Sequence, residues 1–267
     1  MATTSLGWSR TRIGLPCGIY GEKLFRLLVE VVEGYGCDCI ALSGGVDTST
    51  ILLAATAAGQ RPRGYVAVYR GGLPRDIVYA EHVARALGIE LVHVFLGSGD
   101  VEELRGAVVG CIGADRIASH GDSGCIEVRN DMVFYSVLRK AREDGCRCVY
   151  VGSGGDEVFA GYGFMLILTS GELEKTIERM SRGRFPELEI ARCLGVEAVA
   201  PLLDERVLGL ALEIPVDCLR ASLYRGKEVL REILRERGLY SIADRAKTPA
   251  ESGAGTKSVC LSVYDEE

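Results

Sequence analysis

Two stretches of this chain each set a short apolar strand, a glycine turn and a helix in immediate succession, and these junctions restrict the possible folds more than any other feature. The first runs from Cys37–Leu42 into Ser43-Gly44-Gly45-Val46-Asp47-Thr48-Ser49, with Thr50–Ala55 continuing as a helix. Glycines at 44 and 45 permit a sharp turn that brings backbone N–H groups against an anion, and the helix start adds unpaired donors and a positive dipole end. The second runs from Val149-Tyr150-Val151 into Gly152-Ser153-Gly154-Gly155-Asp156-Glu157. Acids at a helix start have an ordinary explanation in capping. In a parallel sheet, however, both junctions fall at the carboxyl ends of strands, where ligands bind, and Asp47 and Asp156 then share a magnesium–phosphate group. Neither loop carries the Gly-Lys-Ser/Thr ending of the mononucleotide loop or the Gly-x-Gly-x-x-Gly dinucleotide pattern.

Strand and helix signals alternate through the first part of the chain. Arg63–Tyr69 reads as a second strand, Pro74 opens a helix that Gly88 ends, and Glu90–Leu96 reads as a third strand. Helices follow over Asp100–Val109 and Asp131–Arg142, then a fourth strand over Arg147–Val151. From Glu172 the strand signals stop and helical patterns take over. The expectation is a single 267-residue α/β unit. It comprises a doubly wound parallel sheet over residues 20–170 that forms the nucleotide-binding core, and a helical part over 171–256. Ser252-Gly253-Ala254-Gly255-Thr256 is a mobile lid or a frayed tail, and composition favours the tail.

Net charge of −6 argues against a broad nucleic-acid surface. With no signal-peptide pattern and no apolar run of spanning length, the expected location is the cytoplasm, away from membranes. Ten cysteines are then expected as thiols, although a single Gln60 and a single Asn130 follow a trend of heat-adapted proteins, some of which keep intracellular disulfides. Disulfides are therefore left open. Cys37/Cys39 and Cys146/Cys148 are spaced by two, so each pair is expected on one face of its strand as small apolar core residues. The absence of Cys-x-x-Cys argues against a zinc cluster.

The heptad Ser43–Ser49 resembles the Ser-Gly-Gly-x-Asp-Ser/Thr-Ser signature of PP-loop ATP pyrophosphatases, and Gly152–Tyr162 resembles a more selective motif of the asparagine synthetase and β-lactam synthetase family. Pro201-Leu202-Leu203-Asp204, Lys227 with Leu230-Arg231, and Arg245-Ala246-Lys247 resemble further family segments. The resemblance implies an adenine nucleotide α-hydrolase-like fold that binds ATP and Mg2+. Ser43, Gly44, Gly45, Asp47, Thr48 and Ser49 would grip pyrophosphate, helped by Gly152, Ser153 and Gly154. Asp47 and Asp156 would hold the metal, and Lys227 and Lys247 would contact phosphates. Val68 would meet adenine through its backbone. Asp156, Lys227 and Lys247 are the expected catalytic residues.

Two departures bear on function. Glutamine-using relatives carry a glutaminase domain with cysteine as residue 2, whereas residue 2 here is alanine and roughly forty residues precede the loop. Ammonia, free or delivered by a separate glutaminase subunit, is the expected nitrogen source. Ser153 stands where asparagine synthetases have glutamate and β-lactam synthetase has tyrosine, and a serine at its ordinary pKa is a poor general base. The resulting expectation is an ATP-dependent carbon–nitrogen ligase that adenylates a carboxylate, with aspartate the leading candidate. The alternatives are a tRNA-modifying PP-loop enzyme and a non-catalytic nucleotide-binding subunit.

Overall fold

The computed structural model describes residues 17–119, 125–222 and 225–259. After helix α1 (Cys17–Tyr35) come β1 (Cys39–Ala41), α2 (Val46–Ala57), β2 (Arg63–Tyr69), α3 (Asp76–Leu87) and β3 (Leu91–Leu96). Next are α4 (Val101–Ile112), α5 (Ala114–Ala118), α6 (Cys125–Glu143), β4 (Cys148–Tyr150), α7 (Gly155–Val158), α8 (Ser170–Met180), α9 (Pro186–Leu194) and β5 (Glu197–Val199). The remainder is α10 (Glu205–Glu213), α11 (Val216–Leu219), a small hairpin of β6 (Arg220–Ser222) and β7 (Arg225–Gly226), α12 (Glu228–Glu236), α13 (Tyr240–Ala243) and α14 (Ala250–Ala254).

The main sheet has order β3-β2-β1-β4-β5 with every pairing parallel. The chain builds outward in one direction through β2 and β3, then crosses back to add β4 and β5 on the other side of β1. That reversal opens a crevice between the carboxyl ends of β1 and β4, the ligand-binding position of a doubly wound sheet. Alternation along the strands feeds two helical layers. Val66 and Val68 join the cluster formed with α1, α2 and α12, while Tyr65, Ala67 and Tyr69 join that of α4, α6 and α9.

Several expectations shift. Helix α6 starts six residues before the expected Asp131, so Glu127 and Arg129 lie within it rather than ahead of it, while His120 and Asp122 lie outside the described residues. The largely helical second half also supplies β5, whose three residues are too few to show a period. The Ser252–Thr256 stretch is not a frayed tail. Thr256 is fully buried and its hydroxyl donates to the Arg129 carbonyl at 3.1 Å, while the Glu251 N–H donates to Asn130 Oδ1 at 2.9 Å. Small residues suit this stretch to close packing on α6, which composition does not distinguish from a loose end.

The cysteines correct the sequence reading most sharply. Disulfides join Cys17 to Cys218, Cys37 to Cys148, Cys39 to Cys146 and Cys111 to Cys193, and Cys125 is also disulfide-bonded. Cys37 and Cys148 lie in one core cluster and Cys39 and Cys146 in or against the other, so neither pair shares a face. Strands β1 and β4 begin only at Cys39 and Cys148, and Cys37 and Cys146 precede the alternating backbone. The two central strands are thus stapled on both sides at their amino ends, opposite the ligand edge. Replacing Cys37 and Cys148 together by alanine is expected to cost about 2–4 kcal/mol, or roughly 5–15 °C of melting temperature for a chain of this size. Calorimetry with and without a reductant checks this, and an unchanged melting temperature after complete reduction would refute it.

Candidate active site

The carboxyl edges of β1 and β4 open into a cavity of about 1310 Å³ lined by both glycine-rich loops, α6, and the segments around residues 184–187, 225–231 and 244–250. In the first loop the Ser43 hydroxyl accepts the Gly45 N–H at 3.2 Å and lies 3.3 Å from the Thr48 hydroxyl. Gly44 takes a left-handed backbone, φ 65°, which makes the turn possible. Helix α2 begins at Val46, so Asp47 sits in its first turn, where the dipole favours an anion. Ser43, Gly45, Asp47 and Thr48 line the cavity; Ser49 is fully buried one turn into the helix.

The second loop lies against the first. A Cβ at Gly155 would run into the Asp47 carboxylate, so a residue without a side chain lets α7 approach α2. Gly152, Ser153 and Asp156 line the cavity, whereas Gly154, at φ 90°, packs toward Leu203. Strand β2 continues to Tyr69, and its lining residues are Tyr65, Val66 and Ala67; Val68 is buried in the core.

Residues from both halves of the chain meet in one charged cluster. Lys227 Nζ stands 2.6 Å from Asp47 Oδ2 and 2.9 Å from Asp156 Oδ1, and Lys247 Nζ lies 2.9 Å from the same Asp156 oxygen. Lys247 also sits 4.0 Å above the Tyr162 ring. Burial opposes charge on Lys227, but the two carboxylates outweigh it and raise its pKa. Burial likewise pushes Asp156 up, yet Lys227 and Lys247 hold it below the ordinary carboxylate range. Among the described residues, Lys227 and Ala160 are the non-glycine positions with positive φ. Such a conformation costs on the order of 1–3 kcal/mol and persists where surrounding contacts enforce it. Here the Lys227 N–H donates to the Phe159 carbonyl at 2.9 Å.

The sequence reading gives no role to three residues, two of which, Arg231 and Arg245, it names only within family-like segments. Buried Arg231 donates to the carbonyls of Gly226, Ala243 and Arg245 at 3.0, 2.5 and 2.8 Å, tying the strands of chain that present Lys227 and Lys247. Arg245 donates to the Ser43 carbonyl at 2.9 Å, pairs with buried Asp76 and stacks on Tyr79, fastening the first loop to α3. The third is Glu187 in the first turn of α9. It lines the cavity and accepts a hydrogen bond from the Ser153 hydroxyl. Burial raises its carboxyl pKa, against the opposing pull of that hydroxyl. The position of Ser153 is therefore not without a carboxylate, because one reaches it from a helix 34 residues on. Glu187 does not stand out in sequence; only a Pro-Glu helix start marks it, and capping explains that pattern equally well.

These features define a doubly wound α/β protein with a charged cleft where such sheets bind nucleotides. The chain belongs to the asparagine synthase family, whose model matches residues 38–188. It is 30% identical over 209 residues to a putative glutamine-hydrolyzing asparagine synthetase 1 of Methanocaldococcus jannaschii, covering 73% of this chain and 36% of that protein. It is 31% identical over 135 residues to the glutamine-hydrolyzing asparagine synthetase B of Escherichia coli, covering 48% of this chain and 24% of that one. The chain thus spans a minor part of the length of these relatives. The NMN synthetase structure from Francisella tularensis aligns over 88% of this chain and 99% of its own, at 14% identity and a TM-score of 0.39.

Behind the cavity wall, Asp131 is almost fully buried, and burial, reinforced by Glu127, raises its pKa to about 8. A carboxyl with a raised folded-state pKa keeps its proton while the unfolded chain loses it, so stability falls as pH rises from about 4 to 8 and then levels off. Asp131→Asn is expected to flatten that slope, by on the order of a few kcal/mol between pH 5 and 9. Urea unfolding of both proteins at the two pH values checks it.

Proposed function

We propose that this chain adenylates a carboxylate with Mg·ATP, releases pyrophosphate and passes the acyl group to ammonia, with aspartate as the leading substrate. The observation that carries this reading is the Asp47–Lys227–Asp156–Lys247 cluster, assembled from two glycine-rich loops and two C-terminal segments at the ligand edge of the sheet. Membership of the asparagine synthase family supports it. We likewise propose that nitrogen reaches the chain as free ammonia or from a separate glutaminase subunit; the curated relatives are described as glutamine-hydrolyzing. The acidic balance and the oxidised state of the described cysteines give no support to a tRNA-modifying alternative with a zinc-thiolate site.

The residues present fit a magnesium ion. Asp47 Oδ1 is buried without a hydrogen-bond partner, and two carboxylates converge on one small volume, the donor set that magnesium shares with phosphate oxygens. Bound there, the ion would neutralise charge on the phosphates. The loop N–H groups after Ser43 would hold pyrophosphate, while Lys227 and Lys247 offset the charge that develops as it departs. The backbone of Tyr65–Ala67 is the part of β2 available to adenine.

In the second half-reaction the nitrogen lone pair forms a bond to the acyl carbon, the carbon–oxygen bond to AMP breaks, and AMP leaves with that electron pair. The proton shed by nitrogen goes to Glu187, with Ser153 holding the carboxylate in place. A carboxylate whose pKa is raised by burial is a stronger acceptor than an ordinary one.

AMP and pyrophosphate are the expected products, and Asp47→Asn should remove most turnover while the far-UV spectrum is retained. Release of ADP and phosphate would overturn the adenylation reading. Glu187→Gln should lower amide formation about 10²–10⁴-fold while ATP–pyrophosphate exchange falls far less. Ser153→Glu, which sets a second carboxylate against Glu187, should also slow amide formation. Equal losses in both half-reactions would remove Glu187 from the transfer step.

A further inference from the structure

Glu187 follows directly on the turn that joins α8 to α9. Residues 181–185 connect α8 to α9, and the Phe185 carbonyl accepts the Leu188 and Glu189 N–H groups at 3.0 and 3.3 Å. What crosses this turn is an ion network. Arg184 Nη1 lies 2.5 Å from Glu127 Oε1 on α6, and Arg184 Nε lies 3.1 Å from Glu189 Oε2 on α9. Glu189 is in turn held by Arg116 of α5 at 3.1 Å. Both Arg184 and Phe185 line the cavity beside Glu187. The guanidinium fork suits this task, since its donors point in fixed directions toward two acids at once.

We propose that Arg184 is a positioning residue for acyl transfer: clamped between Glu127 and Glu189, it fixes the turn before α9 so that Glu187 faces Ser153 inside the cavity. This proposal rests on the role given to Glu187 above. The groups that share electrostatics with that carboxyl are Glu157 of α7, Asp131 of α6, the Ser153 and Tyr162 hydroxyls, and Arg184 itself. Arg184 is the cation among them that lowers the Glu187 pKa, while Glu157 raises it. Removing the Arg184 charge therefore both loosens the turn and takes away a cation that lowers the pKa of Glu187. Its proton affinity rises, and a larger share of it is protonated and unable to accept a proton at neutral pH.

The test compares Arg184→Gln and Arg184→Lys with the wild-type chain in two measurements. The first is the titration of the Glu187 carboxyl by 13C NMR of glutamate-labelled protein, assigned with Glu187→Gln. The second is the pH profile of amide formation set beside that of ATP–pyrophosphate exchange. Arg184→Gln should move the Glu187 midpoint and the acid limb of amide formation to higher pH, and lower amide formation about 10–100-fold with a much smaller effect on exchange. Arg184→Lys keeps the charge and should return the midpoint close to the wild-type value. Its single ammonium cannot span both acids, so amide formation should stay below wild type. A midpoint unmoved in Arg184→Gln, or equal losses in exchange and transfer, would overturn the proposal. So would wild-type transfer in Arg184→Lys, which guards against a glutamine variant that does not fold. If the wild-type chain shows no exchange with any carboxylate, the adenylation reading fails, and the Glu187 titration still decides whether Arg184 governs this carboxyl.

Discussion

One buried ammonium holds the cleft of this protein together. Lys227 arrives from the far end of the chain, in a left-handed conformation that only enforced contacts make tolerable, and lies between Asp47 and Asp156. Each acid belongs to a separate glycine turn, and two carboxylates brought this close repel unless a cation lies between them. Without Lys227, Asp47 would lose its lysine partner in a largely buried space and Asp156 would keep Lys247 alone. With Lys227, α7 can approach α2 so closely that Gly155 has no room for a side chain. The arginines extend the same logic outward. Arg231 anchors three carbonyls behind the lysines, and Arg245 ties the first loop to α3.

The sheet supplies the rigidity that such a cluster requires. Parallel pairing of β1 with β4 places both loops on one edge, and disulfides on both faces lock the opposite edge. A cross-link at the amino ends of the central strands leaves the ligand edge unobstructed while restricting how far the strands can separate. The Cys17–Cys218 and Cys111–Cys193 links bind outer helices in the same way. Tyr150 adds a polar counterpart, accepting the Cys37 N–H and donating toward the Val32 carbonyl from within the core.

The strand–turn–helix junctions were legible because their requirements are local. A turn that brings N–H groups to an anion needs glycine at particular steps, and an acid in the first helical turn needs nothing from elsewhere. Lys227 and Lys247 were legible only through family resemblance, since an isolated lysine carries no local signature. The cysteines show the limit of period-two reasoning. Spacing by two implies a shared face only inside a strand, and Cys37 and Cys146 stand just outside theirs. The Ser252–Thr256 stretch shows another limit, because small residues serve tight packing and looseness equally well.

The amino-acid sequence by itself determined that strands and helices would alternate, that two glycine turns would end two strands, and which acids would start the following helices. These are consequences of backbone sterics, hydrophobic period and helix-end electrostatics acting over a few residues. The tertiary structure alone decided that β1 and β4 are neighbours, that cysteines 107 and 111 residues apart would bond, and that Glu187 would reach Ser153. Those outcomes depend on which faces pack together and which charges find partners across long separations. Such choices are made by burial and Coulomb energy summed over the whole molecule, and no short window of sequence contains them.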